Sequence, residues 1–532
     1  MKAGASLRET ATPAPHTAPG SDTRAGPLRW CEDHAPAGLA VVLTLVATFG
    51  VATAARLPLW NDELFTYYFG HLPGLDALWG ELSRGAEQTP PGFYLITRAS
   101  IWAFGSSPLA LRLPEIVGFV VACAFLYLVV RRRSSPLAGL VAALILGTSS
   151  TRAYAVEARP YALVLGLSAV ALWSWQRAAE HGRQRRLALV VLGLSLAGAV
   201  SSHYYAVLLL GPFAVALVVR ARTDGRFDWP AALALGGGIV PLVVFSPLLA
   251  SAADYAATFW AVPTWAQSLE FYGGLAPVAL PAVSAVSLPV VAGGVTLAAL
   301  VIVAGVVRQR GVSFLLSSAP VHEWVLYGAL ALLPVAGVVI AKLVTGAYVA
   351  RYVLPAVLGL AALVALVVHR LDRRIPVAAP AAGVLLVVLV TVAAADLSAA
   401  GAEAQRRLAT VAFLDANSGG RPVVVASAHE FFELSHDIAR RGGPELRYLA
   451  DPDLALTVLG TDTIELGLVQ LQEFAPLQLR DFDGYLRTHD DFLLFGAELD
   501  WDWTTEVLRE RGYRFEVQAA FGAVPLYRVV RP

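Results

Sequence analysis

The sequence predicts a polytopic α-helical membrane protein that ends in a small α/β domain. Of its 532 residues, 57% are hydrophobic and only 15% are charged, a composition too apolar for a soluble protein of this length. Uncharged apolar runs recur along the first three quarters of the chain, and several approach the ~20 residues that cross a hydrocarbon core. After about residue 397, charged residues become frequent and the apolar runs shorten.

About eleven runs meet the length criterion for a transmembrane helix. They lie near 37–55, 108–130, 136–150, 160–177, 187–203, 205–220, 231–250, 281–307, 323–343, 353–369 and 376–395. We therefore expect a transmembrane domain over 37–396. Residues 1–36, rich in Ala, Pro, Thr and Gly, are expected to form a disordered cytoplasmic tail.

Clustered arginines predict the orientation of these spans. Five basic clusters fall in phase with the spans, at 131–133, 177–186, 220–226, 308–310 and 370–374. Basic loops stay in the cytoplasm, so the intervening loops face outward. The first outer loop, 56–107, is long. Within it, Leu75–Arg84 has apolar residues at helical spacing, as in a helix lying at the membrane surface. An odd number of spans puts the C-terminal end outside.

Residues 397–532 are therefore expected to form an extracytoplasmic α/β domain. Strand-like and helix-like segments alternate there. The strand-like segments are Pro422–Ala428, Phe492–Gly496 and Pro525–Val530, and the helical ones are Phe431–Arg441 and Thr504–Arg511. The chain has no internal repeat, no Gly-rich phosphate loop and no nucleic-acid motif, so nucleic acid is not an expected partner.

The acidic pair Asp62 and Glu63 directly follows the first span, in the segment Trp60–Glu63. Ionised side chains near a bilayer are costly and are often functional. The same pair would also suit the N-terminus of a helix, where the macrodipole favours acids. A third interpretation is that the two acids help to bind a divalent cation, although adjacent acids alone are weak evidence for such a site.

Other polar motifs fall in later outer loops. Glu157, Arg159 and Tyr161 follow the third span, His203 and Tyr204 lie in the next outer turn, and Arg351 and Tyr352 end the last outer loop. An Arg beside these loops suits either a structural ion pair or phosphate binding. Acids, Arg, His and Tyr thus gather on one membrane face, which favours a site open to both lipid and water.

The order of these motifs resembles the GT-C membrane glycosyltransferases. The motifs are Trp-x-Asp-Glu at 60–63, Pro-Pro-x-x-Tyr at 90–94, Leu-Arg-Leu-Pro at 111–114, Glu-x-Arg-Pro-Tyr at 157–161, His-Tyr-Tyr at 203–205 and Arg-Tyr at 351–352. They look most like the family 39 branch, which contains protein O-mannosyltransferases and aminoarabinose transferases. The resemblance covers about residues 37–370.

This resemblance implies the GT-C fold, a polyprenyl-phosphate sugar donor and inversion at the anomeric carbon. Asp62 matches the first-loop acid that is expected to be the general base, with Glu63 as a second catalytic acid that orients Asp62 or binds acceptor or metal. Contacts to the donor phosphate and sugar are implied for Glu157, Arg159, Tyr161, His203, Tyr204, Arg351 and Tyr352. Thr89 stands where many members carry His, so that role does not transfer, and nothing in the sequence supports His71 as its substitute.

The residue types suit this chemistry independently of the resemblance. A phosphate leaving group needs its charge neutralised, which Arg and Tyr donors can do, and an acceptor hydroxyl needs a positioned carboxylate base. We therefore expect an inverting glycosyltransferase of the cytoplasmic membrane that acts at the outer face on a glycan, lipid or protein acceptor. A transporter or lipid flippase is the alternative, although no repeat or midplane polar site supports it. A third hypothesis is a membrane-anchored binding module in which the C-terminal domain carries the function.

Overall fold

A computed structural model describes residues 26–85, 87–180, 182–255, 258–275, 318–372 and 376–532. The membrane part is helical in all of its described segments. Its helices are α1 Gly26–Arg56, α2 Asn61–Gly70, α3 Leu75–Leu82, α4 Pro91–Phe104, α5 Pro108–Arg133, α6 Pro136–Thr148, α7 Tyr161–Ala178, α8 Arg185–Ser202, α9 Leu210–Asp224, α10 Trp229–Gly236, α11 Val240–Val244, α12 Ser246–Tyr255, α13 Trp265–Gly274, α14 Val321–Ala331, α15 Leu333–Ile340, α16 Ala356–Asp372 and α17 Ala378–Ser418. Short 3-10 or π segments lie at Ser150–Val156, Tyr204–Leu209, Gly237–Ile239, Ala341–Thr345 and Ala350–Val353.

Within the described residues, five helices are long and apolar enough to cross a membrane. The number rises to seven if two bent helix pairs, α6 with Ser150–Val156 and α14 with Leu333–Thr345, are each counted as one span. A multi-pass membrane protein is therefore confirmed, whereas the number eleven stays a prediction. The expected span at 281–307 lies outside the described residues.

Several expected boundaries differ from those in the structure. Helix α1 begins at Gly26, so residues 26–36 are helical and not part of a disordered tail. The expected span at 231–250 is broken into α10, a 3-10 turn, α11 and α12; Gly236, Gly237, Gly238 and Pro241 account for the breaks, because Gly and Pro are poor in helix interiors. Helix α17 continues unbroken from the apolar segment into the C-terminal domain.

Helix starts in the membrane part follow the usual capping chemistry. Ser107 accepts a hydrogen bond from the backbone N–H of Ala110 at the start of α5, and Ser135 does the same at the start of α6. In both helices a proline occupies the first position, where its missing N–H costs nothing.

Helices α5 and α7 approach closely through two glycines. A Cβ on Gly166 would lie 2.4 Å from the carbonyl oxygen of Gly118, and a Cβ on Gly118 would meet the backbone of α7 at 2.7 Å. Small residues are the usual means of bringing membrane helices together, since apolar burial drives little association in lipid. This contact fixes the first and second outer loops, which flank the two helices, relative to each other.

The C-terminal domain is built on a six-stranded mixed sheet in the order β3-β2-β1-β4-β6-β5. The strands are β1 Val423–Val425, β2 Leu446–Ala450, β3 Leu479–Asp481, β4 Asp491–Phe495, β5 Arg514–Phe521 and β6 Val524–Val530. Strands β1 to β4 pair in parallel and the last two antiparallel. The helices are α18 Ala428–Arg441, α19 Pro452–Leu459, α20 Thr463–Leu471, α21 Phe482–Thr488 and α22 Thr504–Glu510. The predicted segments coincide with β1, β4, β6, α18 and α22, whereas β2, β3, β5, α19, α20 and α21 were not predicted.

The domain shares a hydrophobic core with the first outer loop. Buried side chains of α2 to α4 and of the domain form one continuous cluster. The ring of Phe65 stacks edge-on against Phe432 at 5.5 Å, and Phe69 meets Phe474 in the same way. Gly467 leaves room for Phe65, because a Cβ there would lie 2.6 Å from that ring. The first outer loop is therefore held between the membrane helices and the C-terminal domain.

Candidate active site

A cavity of about 810 Å³ opens where the outer loops meet the C-terminal domain. Seven of the nine site residues expected from the sequence line it: Asp62, Arg159, Tyr161, His203, Tyr204, Arg351 and Tyr352. They come from four separate loops that are brought together by the packing of the membrane helices.

Asp62 lies in the first turn of α2, and its carboxylate faces the cavity. Oδ2 accepts a hydrogen bond from Nη2 of Arg351 at 3.0 Å. Each of these side chains keeps about a fifth of its surface exposed. A carboxylate paired with one arginine and still open to the cavity is available to a substrate.

Glu63 points away from the cavity, and the prediction that it shares catalysis with Asp62 needs correction. Its side chain is fully buried in a two-pronged ion pair with Arg112. It also accepts from the backbone N–H of Ala158 at 2.5 Å and of Trp60 at 3.2 Å. Successive residues on a helix diverge by about 100°, so the two acids face different surroundings. Glu63 therefore joins the first and second outer loops.

Arg112 completes the same anchor. Its guanidinium donates to the carbonyl oxygens of Ala54, in the last turn of α1, and of Leu57 and Pro58, which lie between α1 and α2. The Leu-Arg-Leu-Pro motif that was noted in the sequence thus fixes the backbone that precedes Asp62.

Arg159 connects the backbone of Asp62 to Glu87 and Thr89, which lie later in the first outer loop. It donates to the backbone oxygen of Asp62 at 3.3 Å, to Glu87 Oε2 at 3.4 Å and to Thr89 Oγ1 at 3.2 Å. The sequence pattern did not single out Glu87. Thr89, where the resemblance expected His, contributes a hydroxyl acceptor to this network.

Two N–H groups remain without a partner beside the Asp62 carboxylate. The Nε atoms of Arg159 and Arg351 are both buried and make no hydrogen bond within the described part of the protein. Buried donors are normally satisfied, and guanidinium groups bind phosphate through such paired N–H edges. This part of the cavity is therefore suited to an anion.

Glu157 is half-buried and does not line the cavity. Burial raises its pKa to about 8, and the nearby negative charge of Glu63 adds to the shift. Its Oε2 atom has no hydrogen-bond partner among the described residues. The carboxyl group is therefore largely protonated at neutral pH.

An aromatic cluster forms the floor of the cavity. His203 lies 4.8 Å from Tyr352 and 5.5 Å from Tyr161, measured between ring centroids, and Tyr205 lies 4.7 Å from Tyr352. Burial, together with the positive charges of Arg159 and Arg351, lowers the pKa of His203 to about 3. Burial also raises the pKa of Tyr352 above its usual range. Both groups are therefore neutral and can donate a hydrogen bond.

The guanidinium of Arg351 also stacks on this floor. Its central carbon lies 5.5 Å from the centroid of the Tyr161 ring, within the range of a cation–π contact. Tyr205 fixes the neighbouring loop by donating to the carbonyl oxygen of Ala347. Together these contacts hold Arg351 in place, while its Nε–H has no partner among the described residues.

Two parts of the cavity lining, the aliphatic wall and the aromatic wall, differ in character. One wall consists of aliphatic side chains: Val207, Leu208, Leu242, Leu249, Ile340 and Val344. The other wall comes from the C-terminal domain and a preceding loop: Phe259, Trp260, His429, Thr463, Ile464 and Trp501. The sequence analysis missed this second wall, because no motif in the domain indicated that it reaches the outer loops.

The C-terminal domain also braces the start of α2. Glu433 accepts a hydrogen bond from the backbone N–H of Asn61 at 3.1 Å and forms an ion pair with Arg407. Arg407 in turn donates to the backbone oxygen of Leu59 at 2.8 Å. Residues on both sides of Trp60 are thus tied to the domain, immediately before Asp62.

His71 lies outside the cavity, in agreement with the lack of sequence support for it. Its Nδ1 donates to the carbonyl oxygen of Tyr67 and its Nε2 accepts from Ser106, so both ring nitrogens are used. Within the described ranges, no group of three or more His, Cys, Asp or Glu side chains is arranged to bind a metal ion.

Comparisons with known proteins agree with this architecture. Residues 88–250 match the family described as dolichyl-phosphate-mannose-protein mannosyltransferase. The fold is similar to that of ArnT from Cupriavidus metallidurans in the apo state, with a TM-score of 0.55, 14% identity, and coverage of 93% of this chain and 98% of that chain. ArnT bound to undecaprenyl phosphate gives a TM-score of 0.51, 14% identity, and coverage of 92% and 97%. A search of curated proteins finds no significant match.

The chain therefore shares the fold of ArnT over nearly its whole length, and residues 88–250 are similar to the mannosyltransferase family.

We predict that breaking the Glu63–Arg112 pair destabilises the protein strongly. Replacing Arg112 by Ala leaves a buried carboxylate without its partner, which typically costs about 3–5 kcal/mol. Thermal unfolding of the purified protein in detergent checks this. Replacing Arg84, which forms an exposed ion pair with Glu473, is the matched control and should change the unfolding temperature little. Equal shifts in the two variants would contradict the assigned role of the buried pair.

We predict that Glu157 makes stability depend on pH. Because its folded pKa is raised from 4.5 to about 8, the folded protein holds a proton that the unfolded chain releases at lower pH. Its contribution to stability is therefore complete below about pH 4.5 and is lost as pH rises towards about 8. Glu157→Gln should remove this loss, as seen from the difference in unfolding temperature between wild type and variant across that range. Glu506→Gln, at an exposed position, should leave the wild-type profile unchanged.

Proposed function

We propose that the protein is an inverting glycosyltransferase that moves a sugar from a polyprenyl-phosphate donor to a hydroxyl group of a cell-envelope acceptor. The reaction takes place at the outer face of the cytoplasmic membrane, and Asp62 is the general base. The acceptor is a glycan, lipid or protein; no divalent cation is needed for the steps below.

One observation carries this proposal. An open carboxylate, Asp62, lies in the same cavity as two arginines whose buried Nε–H groups have no partner within the described residues. An inverting displacement requires both parts: a base for the incoming hydroxyl and cations for the phosphate that departs.

Asp62 acts on the acceptor. Its carboxylate takes the proton of the acceptor hydroxyl as the oxygen attacks the anomeric carbon, and a bond from this oxygen to the carbon forms. The donor phosphate, next to Arg351, competes with Asp62 for the same guanidinium. Donor binding therefore weakens the Asp62–Arg351 ion pair and leaves the carboxylate more basic when the acceptor arrives.

Arg351 and Arg159 act on the leaving group. The bond between the anomeric carbon and the phosphate oxygen breaks, and the polyprenyl phosphate departs with an additional negative charge. The Nε edges of the two arginines and the phenol of Tyr352 can donate to its oxygens. Because these donors are buried and fixed before the reaction, they stabilise the developing charge without reorganisation.

The aliphatic wall accounts for the lipid part of the donor. Val207, Leu208, Ile340 and Val344 line the cavity on the side of the membrane helices, and Val344 is about three-quarters exposed. An isoprenoid chain can leave the cavity over this wall into lipid while its phosphate stays at the arginines. The structurally similar ArnT has been crystallised with undecaprenyl phosphate, which supports a donor of this class.

A lipid flippase or transporter without transferase activity is the alternative. It would need the lipid phosphate site but no catalytic base. The two functions therefore differ in whether Asp62 is required for chemistry, and a transfer assay separates them.

We predict that Asp62→Asn abolishes sugar transfer and leaves donor binding largely intact. Loss of a general base typically costs about 10²–10⁴-fold in rate. The measurement is transfer from a panel of radiolabelled polyprenyl-phosphate sugars by purified protein, with and without chelator. Asp415→Asn, at an exposed position on α17, should transfer at the wild-type rate. Near-normal turnover by Asp62→Asn would refute the assignment of the base.

We predict that Arg351→Gln weakens binding of the donor phosphate. Loss of a charge-assisted contact should reduce the affinity for undecaprenyl phosphate by about ten- to a hundredfold. Titration of the lipid against purified protein gives this affinity directly, without turnover. Arg480→Gln, at an exposed position in β3, is the control. An affinity unchanged from wild type would rule out the proposed phosphate contact.

A further inference from the structure

We infer that the wall contributed by the C-terminal domain is a binding site for a sugar ring of the acceptor. The acceptor is then a carbohydrate, either a free glycan or the glycan head of a lipid. This inference rests on the proposed function, because it assigns the second substrate to the same cavity.

Aromatic rings form the surface of this wall. The indoles of Trp260 and Trp501 meet edge to face, with centroids 6.3 Å apart and planes at 89°, and the imidazole of His429 lies 5.0 Å from Trp501. Flat aromatic faces pack against the C–H faces of sugar rings, and the polar edges of indole and imidazole can bond to hydroxyl groups. An L-shaped pair of indoles therefore offers one face to stack on a ring and a second to border it.

The backbone holds Trp501 in an unfavourable conformation to make this surface. Its φ is 64°, in the left-handed region, and Glu498 in the same loop has a φ of 65°. The strained loop is fixed by hydrogen bonds from the N–H of Ala428 to the carbonyl oxygen of Trp501 and from Ser427 to that of Asp500. Non-glycine residues in this region are often found at functional sites, where surrounding contacts maintain the strain.

The opposite indole is anchored to the same domain. Thr463, at the start of α20, donates its hydroxyl to the carbonyl oxygen of Thr258, two residues before Trp260. Trp260 remains 44% exposed, so its ring is accessible from the cavity. The two indoles are thus presented by separate segments that the domain holds together.

The wall also faces the base. Burial lowers the pKa of His429, and the negative charge of Asp62 acts against this shift, so the imidazole and the carboxylate are close enough to interact. In an inverting reaction the acceptor approaches opposite to the leaving phosphate. The aliphatic wall is occupied by the donor chain under the proposed function, and the aromatic wall is left for the acceptor.

A peptide acceptor suits this surface less well. Extended peptides commonly bind by adding a strand to an exposed sheet edge, yet none of the six strands of the domain contributes a residue to the lining of the cavity in the described structure. Stacking surfaces, and not backbone partners, dominate the wall.

Trp501→Gly tests the inference with little risk to folding. Glycine adopts positive φ freely, so this variant removes the indole and relieves the strain of the loop. We expect the KM for the acceptor to rise by about tenfold or more, with the KM for the donor unchanged. Glu498→Gly is the matched control, because it relieves similar strain at a residue that does not line the cavity, and its acceptor KM should equal that of wild type.

The assay uses full-length protein with three acceptor classes: soluble oligosaccharides, a lipid-linked disaccharide and a Ser/Thr peptide. Transfer to either carbohydrate supports the inference, and the two separate a free glycan from a glycolipid. Transfer only to the peptide, an unchanged acceptor KM in Trp501→Gly, or an equal rise in Glu498→Gly would overturn it.

A binding measurement distinguishes failure of this inference from failure of the proposed function. Saturation-transfer NMR detects contact between the protein and the same oligosaccharides without turnover. If wild type transfers no sugar but binds an oligosaccharide in a way that Trp501→Gly abolishes, the sugar site stands and the transferase proposal fails. If wild type transfers sugar but shows no Trp501-dependent contact, the reverse holds.

Discussion

The buried ion pair between Glu63 and Arg112 is the interaction on which the geometry of the site depends. It closes the turn after α1 through three backbone carbonyls and reaches the second outer loop through the N–H of Ala158. A buried pair of this kind adds little stability over an apolar substitute, but it is costly to break and allows few alternative arrangements. It thereby fixes the direction of Asp62, the adjacent residue, without contributing to the cavity itself.

The C-terminal domain fixes the same residue from the other side. Glu433 and Arg407 bind the backbone at Asn61 and Leu59, and the Phe65–Phe432 contact lies in the hydrophobic core that the domain shares with the first outer loop. The start of α2 is therefore held by the membrane helices through side-chain ionic bonds and by the domain through backbone hydrogen bonds. A domain that only tethered or shielded the membrane part would not require contacts so close to the carboxylate.

The sequence predicted the parts of the site that are local and missed those that depend on packing. Polar and ionisable side chains are energetically costly near a bilayer, so their presence in the outer loops predicts a site there. These residues are Asp62, Arg159, His203 and Arg351. The sequence predicts a shared role for Asp62 and Glu63 because they are adjacent acids. In a helix, however, successive side chains point in different directions. Trp501 and His429 could not be found this way, because nothing local shows that a domain more than 360 residues away covers the first loop. The apolar composition of residues 231–250 predicts one continuous span, whereas Gly and Pro residues within it break the segment into α10, α11 and α12.

Under the proposed function, the charges of the cavity let the donor prepare the site for the acceptor. Asp62 is paired with Arg351, which restrains the carboxylate and partly neutralises the guanidinium. A donor phosphate at Arg351 would weaken this pair and free the carboxylate for the acceptor on the aromatic wall. Because Glu157 is kept largely protonated by burial, it adds little repulsion against an incoming anion. Under the proposed function, the Asp62–Arg351 contact therefore favours an order in which the donor binds before the acceptor.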